Sequence, residues 1–434
     1  LPKENRSFFY PSASLSYVFS DHLKLPSVIN QAKLRLSYAR IGKDASEYST
    51  FTGYSPYGSL PTGTGGLTIA ANLGNPDLLP EFTNTYEAGL EMSFFKNRLG
   101  FDFTYYYSLS QDQIIQTQIS SAVGYVTKSI NAGDIRNRGV ELVINGKPIV
   151  GKDFNWSVNL NLSANRNKVL NMPNGIKEIV YGAARGYGNA GVTMKLIEGQ
   201  PYGNIYGSYF QRYSPNPQDP IVLDKNLPLL IGTNGFPIIS GGTQRLLGNS
   251  QPDYIIGLGN TFNYKNFSLN VLFDARLGFE KYNWLEDFYS AFGLPDYTTD
   301  RRSFKTFEGV LANGTPNTKQ VWLGQTTGPD NVNYGEGYYR IYYRNVSEPF
   351  VSDASWVRLR SASLSYRFPQ NWLPAKAIKN ASLSVTGNNL WLWTKYYGVD
   401  PESSSYDAGS NNDGSAGFTY PSSRQILFTL NVGF

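Results

Sequence analysis

The sequence contains no cysteine, which excludes a disulfide framework and any thiolate metal site. Its one histidine, His22, sits in a turn-rich stretch between two strand-like segments, so a Ser-His-Asp triad facing substrate has no support. Charged residues are scarce at 16 %, and the formal net charge of +5 is spread thinly rather than clustered, which argues against nucleic acid. Nowhere is there a run of about eighteen apolar residues, the length a membrane-crossing helix needs. A chain that enters a bilayer without such runs must satisfy its backbone by strand pairing, and that requires a closed barrel.

What is abundant points the same way. Aromatics reach 15 %, led by 32 Tyr and 25 Phe. Between Thr83 and Ser110, Tyr86, Ala88, Leu90, Met92 and Phe94 share one face at a period of two, against Thr85, Glu87, Gly89, Glu91 and Ser93. A tight turn at Lys96-Asn97 follows, and the alternation resumes with Leu99, Phe101, Phe103, Tyr105 and Tyr107. Each strand exceeds the usual five or six or so residues and approaches the 9–11 or so that a tilted strand needs to cross a bilayer. The same pattern predicts strands at Tyr10–Ser20, Ala32–Gly42, Asp134–Lys147, from Phe154 past Ser163, at Tyr254–Phe262 and Phe267–Arg276, at Trp356–Phe368 with a bulge near Arg360–Ala362, at Ala381–Trp393 and at Arg424–Phe434. A turn is expected at Pro148–Lys152.

Connections alternate strictly between short and long. That is the habit of outer-membrane barrels, with tight periplasmic turns and long extracellular loops. The long ones are expected near 43–82, 111–133, 168–250, 279–353 and 394–421, folding over the mouth. The fold class is therefore all-β, a transmembrane antiparallel barrel. About eleven strands are visible, an odd number where single-chain barrels carry an even one, and the first residues show no signal-peptide h-region. The expectation is the C-terminal part of a larger barrel, with a wide wet lumen facing Glu91, Asp102, Glu141, Asn159, Asn161, Asp274 and Arg276.

Several blocks carry a resemblance. Asn75-Pro76-Asp77-Leu78-Leu79-Pro80-Glu81 with Tyr86-Glu87-Ala88-Gly89-Leu90 resembles the barrel signature of TonB-dependent receptors, although Leu79 and Phe82 stand where basic residues are usual. The run from Ile130-Asn131-Ala132-Gly133-Asp134 to Glu141, Asp353-Ala354-Ser355-Trp356-Val357-Arg358-Leu359-Arg360, Gly387-Asn388-Asn389-Leu390-Trp391, Gly398-Val399-Asp400-Pro401-Glu402 and Tyr420-Pro421-Ser422-Ser423-Arg424 resemble the SusC-type branch of Bacteroidetes. The resemblance implies a 22-stranded barrel plugged by an N-terminal domain, import of oligosaccharides or peptides driven by the TonB complex, and a SusD-type lipoprotein capping the barrel. Plug and TonB box would precede Leu1. It also implies that Phe434, with Phe428, Leu430 and Val432, forms the terminal assembly signal.

Candidate sites follow from residue type. Trp284, Asp287, Tyr289 and Trp322 fall in one long loop, where a ring beside a carboxylate makes a platform for a sugar or peptide. Loop packing is at least as good an account of them. Tyr338, Tyr339, Tyr342 and Tyr343 with Arg340 and Arg344 have the composition of a partner interface for the lipoprotein. Trp156, Trp356, Trp391, Trp393, Tyr105 and Tyr107 lie near strand ends, where rings favour the membrane interface. Gly186-Tyr187-Gly188-Asn189-Ala190-Gly191 matches a dinucleotide fingerprint without its βαβ context. Asn411-Asn412-Asp413-Gly414 resembles part of a calcium loop but lacks the first carboxylate and the closing Glu. No cofactor or metal is expected beyond that weak calcium motif, and no enzyme activity. The rival reading is a structural or interaction barrel, either a passive pore or a secretion-associated scaffold.

Overall fold

The structure, a computed structural model, describes residues 2, 5, 7–59, 63–173, 175–186, 191–214, 226–374, 377–404 and 414–434. Eleven strands make one antiparallel sheet in which neighbours in sequence are neighbours in space. They are β1 (Ser12–Val18), β2 (Ile29–Lys43), β3 (Glu81–Phe94), β4 (Leu99–Gln111), β5 (Asp134–Val150), β6 (Phe154–Asn171), β7 (Tyr254–Tyr264), β8 (Phe267–Leu277), β9 (Trp356–Arg367), β10 (Asn380–Thr394) and β11 (Gln425–Gly433). Among the described residues, the outer edges of β1 and β11 pair with nothing.

Register keeps the two faces distinct. Tyr86 faces Tyr107 and Leu90 faces Phe103 across β3 and β4, while Glu91 faces Asp102 on the other side. The apolar face is the exposed one: Phe428 is 74 % and Phe434 80 % accessible. Side chains of that size each favour leaving water by about 2 kcal/mol, so a wall of them needs an apolar solvent. One polar residue on this face, Asn260, receives the Trp156 indole N–H at 3.1 Å. The polar face is laced instead. Lys33 reaches Glu91 at 3.1 Å, Arg35 pairs with Asp102, and Asn161, Asn159 and Asn145 form a chain of side-chain amides at 2.7 and 2.6 Å.

The sequence-based boundaries shift at β5 and β6, while the bulge expected near Arg360–Ala362 is present. β5 continues through Pro148 to Val150, so the chain turns at 151–153; the proline fits because the register slips between Gly146 and Ile149, where no ladder N–H is required. β6 runs to Asn171, since Val169 and Lys168 still pair with Ile135 and Arg136. The β9 register slips at Arg360, against both β8 and β10.

Short turns join strands at one end of the sheet, and long connections, 44–80, 112–133, 172–253, 278–355 and 395–424, join them at the other. The long connections carry structure of their own. Glu178–Arg185, Gly191–Ile197, Asn204–Gly207 and Arg245–Asn249 form a four-stranded sheet. Helix α1 (Trp284–Phe292) and the single turn α2 (Tyr338–Ile341) belong to the connection between β8 and β9.

Two of the four buried apolar clusters lie wholly in this layer, and the other two sit where it meets the wall, taking in Ile135 of β5 and Val169 of β6 in one and Trp356 of β9 in the other. One joins Val192, Ile205 and Leu247 to Tyr282 and Phe350, so it spans both of the longest connections. Another joins Phe279 and Ala354 to Tyr396 and Ala416. The wall has its greasy side out, and the core is built by the loops together with the strand ends they cover.

Candidate functional site

The quoted sequence blocks meet at the loop end of the sheet, where they clip the connections to the wall. Arg358 on β9, only 2 % exposed, donates to Asp400 Oδ1 at 2.7 Å and to the Ser422 hydroxyl at 2.8 Å. Ser422 in turn donates to the second Asp400 oxygen. Arg360, two residues on, forks onto Glu402 at 2.7 and 3.0 Å and reaches Asp274 of β8 at 2.7 Å. Burial pushes the Asp400 carboxyl up, but the bonds from Ser422 and Arg358 outweigh it and hold the group below its ordinary value.

A second clip sits across the mouth. The Asn131 amide accepts from Leu79 N–H at 3.0 Å and donates to the Leu79 and Asp112 carbonyls at 2.9 and 2.8 Å. Gly133 beside it has φ +89°, and a Cβ there would lie 2.1 Å from the Asn171 carbonyl oxygen, so only glycine fits. Both clips are architectural. Their side chains are spent on one another and leave nothing aimed at a ligand.

Trp356 belongs with the first clip and not to a membrane belt. It shares the parity of Arg358 and Arg360, whose guanidinium groups both lie 5.5 Å from its ring, and it is 2 % exposed among Phe279, Ala354 and Tyr396. Trp391 and Trp393 are exposed on the outer face of β10, and Tyr105 on that of β4.

The expected ring-and-carboxylate platform comes apart. Asp287 is 0 % exposed and accepts the Tyr282 hydroxyl at 3.1 Å, which removes it from any ligand. Trp284 packs against Phe418 at 5.2 Å and against the large core cluster. Tyr289 is exposed on α1. Burial also raises the neighbouring Glu286 carboxyl above its ordinary value, a bond with Tyr297 offsetting this only in part.

The tyrosine cluster is likewise core, not interface. Tyr338 and Tyr339 are buried beside Phe236 and Phe307, and Tyr342 stacks on Phe236 with centroids 4.3 Å apart. Burial pushes the Tyr343 phenol up to about 12. Arg344 donates to the Arg340 carbonyl at 2.5 Å, and both guanidinium groups lie 3.9 Å from Glu336. A single helical turn cannot present four rings outward when two aromatics from elsewhere in the chain offer apolar contact.

Trp322 and Arg340 do line a cavity, one of about 750 Å³ between the end of α1 and the 322–329 segment. Arg301, Arg302, Gln325 and Glu336 share its wall. None of these except Trp322 and Arg340 was singled out from sequence, because an Arg pair in a loop has no spacing signature.

His22 stacks on Tyr17 with centroids 5.5 Å apart, in the short link after β1. Residues 187–190 of the glycine-rich stretch and 411–413 of the calcium-like stretch lie outside the described residues, while Gly191 opens a strand rather than a helix. Among the described residues, no three His, Asp or Glu side chains are grouped to hold a metal.

The sequence pattern of the family described as TonB dependent receptor-like, beta-barrel matches residues 2–390. The whole chain is 26 % identical to the TonB-dependent receptor P3 of Formosa agariphila, covering 42 % of it. It is also 26 % identical to the TonB-dependent receptor SusC of Bacteroides thetaiotaomicron, covering 40 %. The fold superimposes on a chain of the RagAB peptide transporter with a TM-score of 0.72 at 19 % identity, covering all of this chain and 44 % of that one. The chain thus spans less than half the length of the relatives it matches.

Proposed function

The chain belongs to the TonB-dependent receptor-like β-barrel family, and from that premise we propose that it forms half the wall of an outer-membrane importer of the SusC type, driven by TonB and taking up oligosaccharides or peptides. One observation carries the reading. The sheet is apolar outside and charged inside, has two edges that pair with nothing among the described residues, and gathers its long connections at one end, where the two longest share a core. Unpaired edges of this length are unstable in a bilayer, so further strands must close them, and a wall this polar inside encloses water and cargo.

In this reading the long connections face the cell surface and the short turns the periplasm. The layer formed by 172–253 and 278–355 receives cargo beneath a SusD-type lipoprotein. RagAB is named as a peptide transporter, and the sequence blocks of the SusC type imply oligosaccharides as well as peptides, so both cargo classes stand. The chain is no enzyme in this reading: its one histidine, His22, lies at the far end of the wall from the loops.

The test is a density map and an intact mass of the whole complex purified from native outer membrane, together with cargo uptake by cells with and without the TonB complex. The expected result is eleven further strands, a plug inside the barrel and a lipoprotein over the loops, with uptake lost when TonB is removed. A barrel that closes around an empty lumen, or uptake that ignores TonB, refutes the proposal in favour of a passive pore or scaffold.

A further inference from the structure

We propose that the 750 Å³ cavity beside α1 is a binding site for an acidic saccharide, one whose ring carries a carboxylate or sulfate. Its volume falls in the range of about 300–1,000 Å³ usual for small-ligand sites. Arg301, Arg302 and Arg340 line it against one acidic residue, Glu336. Glu336 lies 3.9 Å from Arg340 and is largely exposed, a weak partner. Among the described residues, no carboxylate lies within ion-pair distance of Arg301 or Arg302. Guanidinium groups recognise carboxylate and sulfate through paired N–H donors, and two of these three are uncommitted to any acid.

The site is held in shape. Arg301 Nη1 donates to the Thr298 carbonyl at 3.1 Å, and its stem lies against Gly293 where α1 ends, 3.1 Å from the position a Cβ would take. Trp322 is braced edge-on by Phe304 at 5.2 Å. A Cβ on Gly324 would stand 2.3 Å from the Trp322 indole nitrogen, so the backbone presses close to the ring and keeps it in place. An aromatic surface suits the apolar face of a pyranose, and Gln325 and Thr327 supply amide and hydroxyl partners for ring hydroxyls. A peptide would instead seek an exposed strand edge or a row of backbone groups, and this lining offers side chains.

The inference rests on the import reading only in treating the bound saccharide as cargo; binding itself is tested without energy coupling. The whole purified receptor complex is titrated by calorimetry with three tetrasaccharides of equal length, one of galacturonic acid, one sulfated galactan and one neutral glucan, and with an acidic tetrapeptide. The expected result is binding of the carboxylated or sulfated saccharide, whichever arm is stronger naming the acid, and none of the neutral one. The affinity should fall as salt rises from about 0.05 to about 0.5 M. It should also drop about tenfold or more in R301Q/R302Q. Both arginines are exposed, so that variant should keep the parent's thermal stability. W322F tests the ring separately: it should weaken binding while preserving the salt dependence. Equal binding of neutral and acidic sugars, preference for the peptide, no binding of either acidic sugar, or parental affinity in R301Q/R302Q each overturns the proposal. None of these outcomes touches TonB-driven uptake, which is measured in cells.

Discussion

Removing Asp400 should release the 395–424 connection from the wall without unfolding the sheet. Arg358 is 2 % and Asp400 3 % exposed, and taking one member from a buried pair costs about 3–5 kcal/mol because the other charge is left desolvated. Here Glu402 remains 3.1 Å from Arg358 Nε, which places Asp400→Ala near 3 kcal/mol, the lower end of that range. That corresponds to roughly hundredfold faster amide exchange in 395–404 and 414–424, with β9 and β10 unchanged. Arg358→Met with Asp400→Leu removes both charges and should recover most of the loss, since apolar replacement of a buried pair is often neutral. Parental exchange in the single variant, or a double variant as labile as the single, refutes the clip. The pH dependence has a definite sign: the folded-state carboxyl sits below its ordinary value, so its stabilisation is present above the unfolded carboxylate range and drains away as pH falls through the folded value.

Asn131→Ala strips partners from Leu79 N–H and from two carbonyls, and exchange at 75–82 and 111–113 should quicken by a factor matching about 1–3 kcal/mol; unchanged rates would remove the second clip. Glu286 has its folded value raised by burial, so what it contributes is complete below the unfolded carboxylate range and lost as pH rises through the folded value. Glu286→Gln should therefore equal the parent in acid and exceed it at alkaline pH in protection of 284–298, and the reverse order would contradict the burial argument. On the importer reading, Phe434→Ala should lower the amount of protein in the outer membrane several-fold while leaving uptake per molecule intact, because this exposed ring just past the end of β11 faces away from the lumen; normal abundance would sink that account.

Period-two alternation made the wall legible because one face of each strand meets lipid and the other water, a contrast local to every pair of residues. Even the slip at Arg360 shows in the sequence as two charges out of step with their neighbours. Trp356 was misplaced as a membrane-belt ring, although it has the parity of Arg358, and counting along β9 puts it inside. The connections were not legible, because their burial depends on distant partners. Tyr338 and Tyr342 look like an interface until Phe236 and Phe307 arrive from far along the chain. Asp287 looks like a ligand contact until Tyr282, which precedes α1, covers it. Helix α1 itself had a local signal, with Asn283 accepting from the Glu286 N–H, apolar residues at 284, 285, 288, 291 and 292, and Gly293 just beyond.

Glu348, from the connection between β8 and β9, is gripped by three groups of the connection between β6 and β7: Arg245 at 2.6 Å, Arg212 at 2.9 Å and the Phe210 N–H at 2.9 Å. Ser347 N–H bonds the Ser208 hydroxyl next to it at 2.9 Å. The two segments therefore have to be inherited together. A chimera that borrows one from a related chain strands two arginines or a carboxylate in the interior, so the two segments should vary by paired exchange, or by point changes that spare this junction.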